Sequence, residues 1–396
     1  MKIYVSENRI VLFTICSAFV YSFLYFPFIG WKLYSASTIL CIAIVTLYVI
    51  MNLETVLNMK EYRAVNLLAL VYYFSVFVSK KYNNEISPII LAGFVFQCVL
   101  LPFIELQRKK GHVYFLYKVF VLWYGIGLLL NDILMVIMPS RFYGDGYGRN
   151  FFLGNKFQIG YDHIVFLMIF CLLYSSARNF KKWLTVLVIA TAIICFYIDC
   201  RTTILGTVVL FLVYLLPEKT FKRLCSKRAA LTTIVICAMF IFFAQITQVP
   251  SVKYFITEIL GRDATMTGRQ QIFALIPKLI RRKPWLGYGS SSYIVSKYTG
   301  ALNTQNGFFE LVVCNGIPSA VLYVILLVSM IRTGSGRTVR ILLGCIYAYI
   351  VMSLVEVTYG TELILFAILL LTETPSYQEQ RVRVLEPETL ISVRLL

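Results

Sequence analysis

Residues 307–331 read GFFELVVCNGIPSAVLYVILLVSMI, and a single charge, Glu310, interrupts them. Crossing the hydrocarbon core of a bilayer takes about 20 mostly apolar residues in a helix rising 1.5 Å per residue. This stretch therefore has the length and apolarity of a membrane span. Similar runs occupy 10–29, 36–53, 64–79, 86–104, 114–138, 162–177, 184–198, 202–217, 229–249, 341–357 and 362–372, which makes twelve runs in all. The last is short enough that Val355–Thr361 is open to joining it. The whole chain agrees with these runs. Of its 396 residues 59% are hydrophobic and 14% charged, and the mean hydropathy is +0.77. Soluble globular proteins run near 45–50% apolar and about 25% charged. A soluble enzyme, a disordered chain and a disulfide scaffold are excluded. The fold class read from these runs is an all-α polytopic membrane protein of about twelve transmembrane helices, forming one integral membrane domain over 1–396. No small-residue cleavage site follows the first run, so no cleaved signal peptide is expected.

The ten cysteines give no framework. Eight lie in apolar runs, and Cys200 and Cys225 sit in short connections, with neither metal-like nor disulfide-like spacing. They read as small hydrophobes.

The net charge of +18 needs its own account, because nucleic-acid binders are also basic. Here the cations come in short clusters between apolar runs, so no nucleic-acid partner is expected. Lys and Arg favour the cytoplasmic side of short loops. An inside N-terminus puts the clusters around Lys60, Arg108, Lys181, Lys222 and Arg337 on that side, leaving both termini, with the tail 373–396, in the cytoplasm. One connection breaks the rule. The outward loop 250–306 carries Lys253, Arg262, Arg269, Lys278, Arg281, Arg282, Lys283 and Lys297 against only Glu258 and Asp263. Positive charge displaced outward calls for an anionic partner, although a soluble loop free of charge pressure reads the same way.

Within that loop, Thr267-Gly268-Arg269 precedes apolar Ile272, Phe273, Leu275, Ile276, Leu279 and Ile280. Thr267 is an N-cap type and the spacing is helical. The expectation is an amphipathic helix on the membrane surface, apolar face down, kinked at Pro277 and ended by Arg281-Arg282-Lys283. Pro284-Trp285-Leu286-Gly287-Tyr288-Gly289 follows as a turn, where Gly287 and Gly289 would let backbone approach a ligand and Trp285 and Tyr288 would sit at interfacial depth.

Two further outward arginines stand out. Asp199-Cys200-Arg201 is all that separates two apolar runs, which fixes Arg201 in a tight hairpin. Arg149 and Lys156 lie in the glycine- and aromatic-rich loop 139–161, composed like a binding loop rather than a linker. Guanidinium forks grip phosphate oxygens in pairs, so Arg149, Lys156, Arg201 and Arg269 converging on one outward cavity would suit a pyrophosphate-bearing substrate. Spacing alone leaves Arg269 equally readable as a solvated first-turn arginine. Among charges inside apolar runs, Asp132, Glu310 and Glu356 are functional candidates. Glu310, one turn inside the span that follows the basic loop, comes first. The same position suits a helix-packing hydrogen bond or a dipole partner, and both readings stay open.

Taken in order, these pieces resemble the O-antigen ligase and polymerase family of bacterial envelope glycosyltransferases. Cys200-Arg201-Thr202-Thr203 is similar to the family's Ser-Arg-Thr element. Thr267-Gly268-Arg269 with the later Pro284-Trp285-Leu286-Gly287-Tyr288-Gly289 resembles its TGR and P-x-x-G-x-G core. Gln305-Asn306 with Gly316 is similar to its HN stretch, and Arg149 with Gly160 to the R-x10-G pattern of the polymerases. The resemblance covers about 149–316; the N-terminal spans match only in number and hydropathy. It implies a GT-C-like enzyme of the bacterial plasma membrane whose site faces outward. Its substrate would be a glycan carried on undecaprenyl diphosphate, to be polymerised into O-antigen, capsular or exopolysaccharide. Arg201 and Arg269 would neutralise the diphosphate leaving group. Glu310 would be the first choice to accept the proton of the attacking hydroxyl. Arg149, Lys156, Thr267, Gly268, Gly287, Tyr288, Gly289, Gln305 and Asn306 would bind diphosphate or glycan. No metal and no cofactor are expected. Membrane lipid, a chain-length regulator and a flippase of the same pathway would be its partners.

One departure matters. The ligases carry histidine where this chain has Gln305, and glutamine is no base. That favours a polymerase over a ligase, which would pass a finished glycan to lipid A-core or protein. A flippase or transporter is the reading from another class. It predicts internal repeats and charged midplane sites, whereas no two-half repeat is evident and the polarity sits at one face.

Overall fold

A computed structural model describes residues 8–138, 150–243, 254 and 269–373. The described residues are helical apart from connections and one two-residue antiparallel pair, Asn150–Phe151 with Gly154–Asn155. The principal helices are α1 (Arg9–Tyr21), α2 (Trp31–Met51), α3 (Arg63–Tyr82), α4 (Pro88–Lys109), α5 (Val113–Ile137), α6 (Lys156–Tyr174) and α7 (Phe180–Tyr197). They continue as α8 (Arg201–Leu215), α9 (Lys227–Phe243), α10 (Arg269–Arg282), α11 (Ser291–Thr299), α12 (Gly307–Met330), α13 (Arg337–Met352) and α14 (Thr361–Thr372). Every apolar run of the sequence overlaps one of these helices. Seven, namely α2 to α7 and α12, are long and apolar enough to cross a membrane. The protein is an all-α, multi-pass membrane protein.

Its surface says the same. Leu40, Leu47 and Ile50 on α2, Leu67 and Phe74 on α3, Leu129 and Val136 on α5, and Ile189, Ile193 and Phe196 on α7 are all exposed. A continuous apolar belt of this kind is stable against lipid chains and not against water. The interior is built on α13 and α14, buried over nearly their whole length, with α6 and α12 beside them. The cysteines are buried or half-buried thiols, as small hydrophobes should be.

Two backbone devices position the functional end. Helices α6 and α8 approach so closely at Gly160 that a Cβ there would lie 2.1 Å from Thr203 Oγ1. Gly160 thus brings the start of α6 beside the start of α8. The second device is a break in α12 at Gly316 (φ 83°, ψ 167°), with Pro318 two residues on. The break strands backbone groups that a membrane interior cannot satisfy with water, and the segment 284–289 satisfies them. Tyr288 N–H donates to Val313 O and Gly289 N–H to Cys314 O, both at 2.8 Å, while Ile317 N–H donates to Pro284 O at 2.8 Å. Ser79 Oγ on α3 closes the junction, 2.5 Å from Leu286 O and 3.0 Å from Cys314 O.

Three expectations change. The last helix starts at Thr361, so Val355–Gly360 does not join it. Those residues form a connection, 353–360, with Glu356 in it rather than inside a span. The helix over 269–282 continues through Pro277. Its apolar residues Ile272, Phe273, Ile276 and Leu279 are buried in the protein core, α10 packing on α12 and α11. That face is covered by protein instead of lying down on lipid.

Candidate active site

Arg269, the first residue of α10, holds two partners from distant parts of the chain. Its Nε donates to Gln305 Oε1 and its Nη2 to Glu356 Oε1, both at 3.2 Å. Gln305 is placed by a left-handed backbone (φ 55°), with Asn303 Oδ1 accepting from both its backbone N–H (2.9 Å) and its side-chain amide (3.1 Å). Glu356 is 4% exposed. Burial pushes its carboxyl up from the ordinary value, with Arg269 and then Lys156 working against that, to about 7. Charging a buried carboxylate is costly, and the neighbouring cations offset only part of that cost.

Lys156 joins this group to the α7–α8 hairpin. The Asn155 side chain accepts from the Phe157 and Gln158 amides, and so starts α6 with Lys156 in its first turn. Lys156 Nζ donates to Asp199 O at 3.2 Å and lies 3.8 Å from Asp199 Oδ2. Arg201 Nε lies 3.2 Å from Asp199 Oδ1. Both side chains of that pair are more than half exposed, so it orients Arg201 without contributing much stability. Buried Cys200 between them feels the charges of both Glu356 and Lys156. Lys156, Arg201 and Arg269 are thus gathered with Asp199 and Glu356 at one end of the bundle. This is a charged site with one more cation than anion, on a frame of four separate chain segments.

The other expected residues take different places. Glu310 Oε2 accepts from Thr304 N–H at 3.0 Å and lies 3.0 Å from Thr304 Oγ1, while Cys314 Sγ donates to Oε1 at 3.4 Å. Its carboxylate holds the turn that presents Gln305. Asn306 is fully buried. It caps α12 through the Phe309 N–H (3.2 Å) and donates to Cys237 O (3.3 Å) and Leu354 O (3.4 Å), tying α9, α12 and the 353–360 connection together. Gly287 approaches the protein's own broken helix, where a Cβ would lie 2.5 Å from Val313 O and Cys314 O, and a Cβ on Gly289 would crowd the Glu85 carboxylate. Tyr288 donates to Leu279 O at 3.3 Å, with Lys283 Nζ 5.0 Å from its ring centre. These residues build the frame. Arg149, Thr267 and Gly268 lie outside the described residues.

Sequence reasoning ranked Glu356 below Glu310 and gave Asp199 no role. Glu356 carries a signal, a carboxylate in an apolar run, but nothing local points to an arginine 87 residues away.

Helices α7 to α12 carry Arg201, Arg269, Gln305 and Glu310 in one continuous stretch of chain. Residues 186–324 match the O-antigen ligase family. This agrees with the resemblance drawn from the motifs, over much the same residues. Lys156 and Glu356 lie on either side of the matched residues, so the site is completed by segments outside the match. No curated protein and no solved structure matches the chain.

Proposed function

We propose that this protein is a polysaccharide polymerase of the outer face of the bacterial plasma membrane. It joins repeat units carried on undecaprenyl diphosphate by glycosyl transfer, with neither metal nor nucleotide sugar. The observation that carries the reading is the placement of Arg269 between Gln305 and Glu356, with Lys156 and Arg201 adjoining. Three cations, each at the start of a different helix and set where a lipid diphosphate would lie, suit a leaving group that gains negative charge as the glycosidic bond breaks. A cytoplasmic N-terminus followed by the twelve expected crossings would put this end outside.

Glu356 is the group best suited to accept the proton of the attacking hydroxyl. An acceptor works best when its pKa lies near the ambient pH, and burial brings this carboxyl to about 7. Glu310 takes a supporting role in this reading, because Thr304 and Cys314 already donate to its carboxylate. In the ground state Arg269 lies on Glu356; arrival of the diphosphate would draw the guanidinium towards phosphate and free the carboxylate.

The description of the matching family favours a second reading, a ligase making a single transfer to a separate acceptor. Gln305 in the histidine position supports the polymerase. The test is reconstitution with lipid-linked repeat units alone. A ladder of lipid-linked chains supports polymerisation, and transfer only on addition of a lipid A-core or protein acceptor supports ligation.

A further inference from the structure

Helix α7 runs 18 residues from Phe180 to the Arg201 hairpin, roughly 27 Å at 1.5 Å per residue. At its far end, away from the site above, lies a cavity of about 310 Å³ whose walls include Lys181, Tyr214, Leu215, Glu218, Arg337 and Arg340. Its two guanidiniums are fixed in advance. Arg340 donates to Tyr214 O (3.3 Å) and Leu216 O (2.5 Å), reaches Glu218 Oε2 (2.6 Å), and stacks 4.3 Å from the centre of the Phe221 ring. Arg337 donates to Ser175 O at 3.0 Å and lies 5.8 Å from the Phe180 ring centre.

The acid supply falls short of the cations. Among these wall residues Glu218 is the one carboxylate, and it already serves Arg340 and, at 3.9 Å, Lys222. Lys181, Arg337 and Arg340 therefore surround the cavity with excess positive charge. Fixed guanidiniums with an ammonium alongside form the donor set that binds phosphate. The location selects the source of the phosphate. Leu215, which lines the cavity, is 57% exposed at the end of α8 and continuous with its apolar outer face at Leu212 and Val208. Trp183, two residues from Lys181, is exposed as interfacial tryptophans are. The cavity thus opens where acyl chains give way to headgroups.

We infer that this cavity is a specific site for the phosphate headgroup of an anionic phospholipid, with its acyl chains along the outer face of α8. Basic pockets between helix ends commonly hold such headgroups.

Native mass spectrometry of the full-length protein, purified in mixed micelles of equal phosphatidylglycerol and phosphatidylcholine, tests the inference. The unaltered protein should retain phosphatidylglycerol in preference. Lys181→Gln and Arg337→Gln should each lower that preference on the order of fivefold, and the double variant should bring it close to parity. Lys181 is exposed, so its variant separates loss of the site from loss of the fold. Equal retention of the two lipids by the unaltered protein overturns the inference, as does a preference that survives in the double variant. Thermal stabilisation by millimolar inorganic phosphate in pure phosphatidylcholine, abolished in both variants, overturns the lipid as occupant in favour of a soluble phosphate.

Discussion

Arg269 Nη2 stands 3.2 Å from Glu356 Oε1, joining the first turn of α10 to the connection between α13 and α14. The pair is well buried, with side-chain exposures of 23% and 5%. Removing one member of such a pair leaves the other charge uncompensated, which costs far more than the pair itself contributes. Arg269→Ala should therefore abolish polymer formation and lower the melting temperature. Arg269→Ala with Glu356→Gln should recover much of the stability and none of the activity. Thermal unfolding in detergent, set beside polymer assays, checks both; additive melting shifts would contradict the coupling.

The pH dependence has two opposite arms. As proton acceptor Glu356 works only when ionised, so the rate should rise as pH passes through about 7 and level above it. Stability should move the other way. The folded carboxyl binds its proton more tightly than the unfolded one, whose pKa is near 4.5. Its contribution is therefore fully present below about 4.5 and is lost as pH rises through about 7. Glu356→Gln should remove both slopes and lower the rate on the order of 10²–10⁴-fold. A rate profile unchanged by that substitution would rule Glu356 out as acceptor.

Glu310→Gln should be milder. It weakens the hold on Thr304 while leaving Arg269 and Glu356 in place. We expect a loss on the order of tenfold, of about 1.4 kcal/mol in transition-state stabilisation, with the rise near pH 7 retained. A double-mutant cycle with Gln305→Ala should show strong coupling, since Glu310 is argued to act through the turn that carries Gln305.

Gly316→Ala introduces a Cβ 2.0 Å from Trp285 O at a backbone with φ 83°. It should unseat the 284–289 segment from α12 and destabilise the protein by more than about 1 kcal/mol, read as a lower melting temperature. Gly300→Ala, at another positive φ with open space around the position, strains the backbone without a clash and should cost less.

The helices were legible because lipid imposes a simple rule: long apolar runs can be counted directly. Arg201 and Arg269 stand out in the sequence because they break the expected pattern of charge between apolar runs, and the fold sets both in one charged cluster with Lys156. The sequence of Pro284-Trp285-Leu286-Gly287-Tyr288-Gly289 points to close backbone approach but not to the break at Gly316, which only the folded chain brings near. Glu310 outranked Glu356 for the same reason. Proximity along the chain points to Glu310 next to the basic loop, whereas in the fold Thr304 donates to Glu310 and an arginine 87 residues away pairs with Glu356.

The most direct test of the account is the fate of the lipid carrier. In proteoliposomes supplied with a synthetic undecaprenyl-diphosphate-linked repeat unit, undecaprenyl diphosphate released and glycosidic bonds formed should be counted together. The account predicts one released for each bond, with both lost in Arg269→Ala and in Arg201→Ala. Bonds formed without release, or release that persists undiminished in both variants, would contradict it.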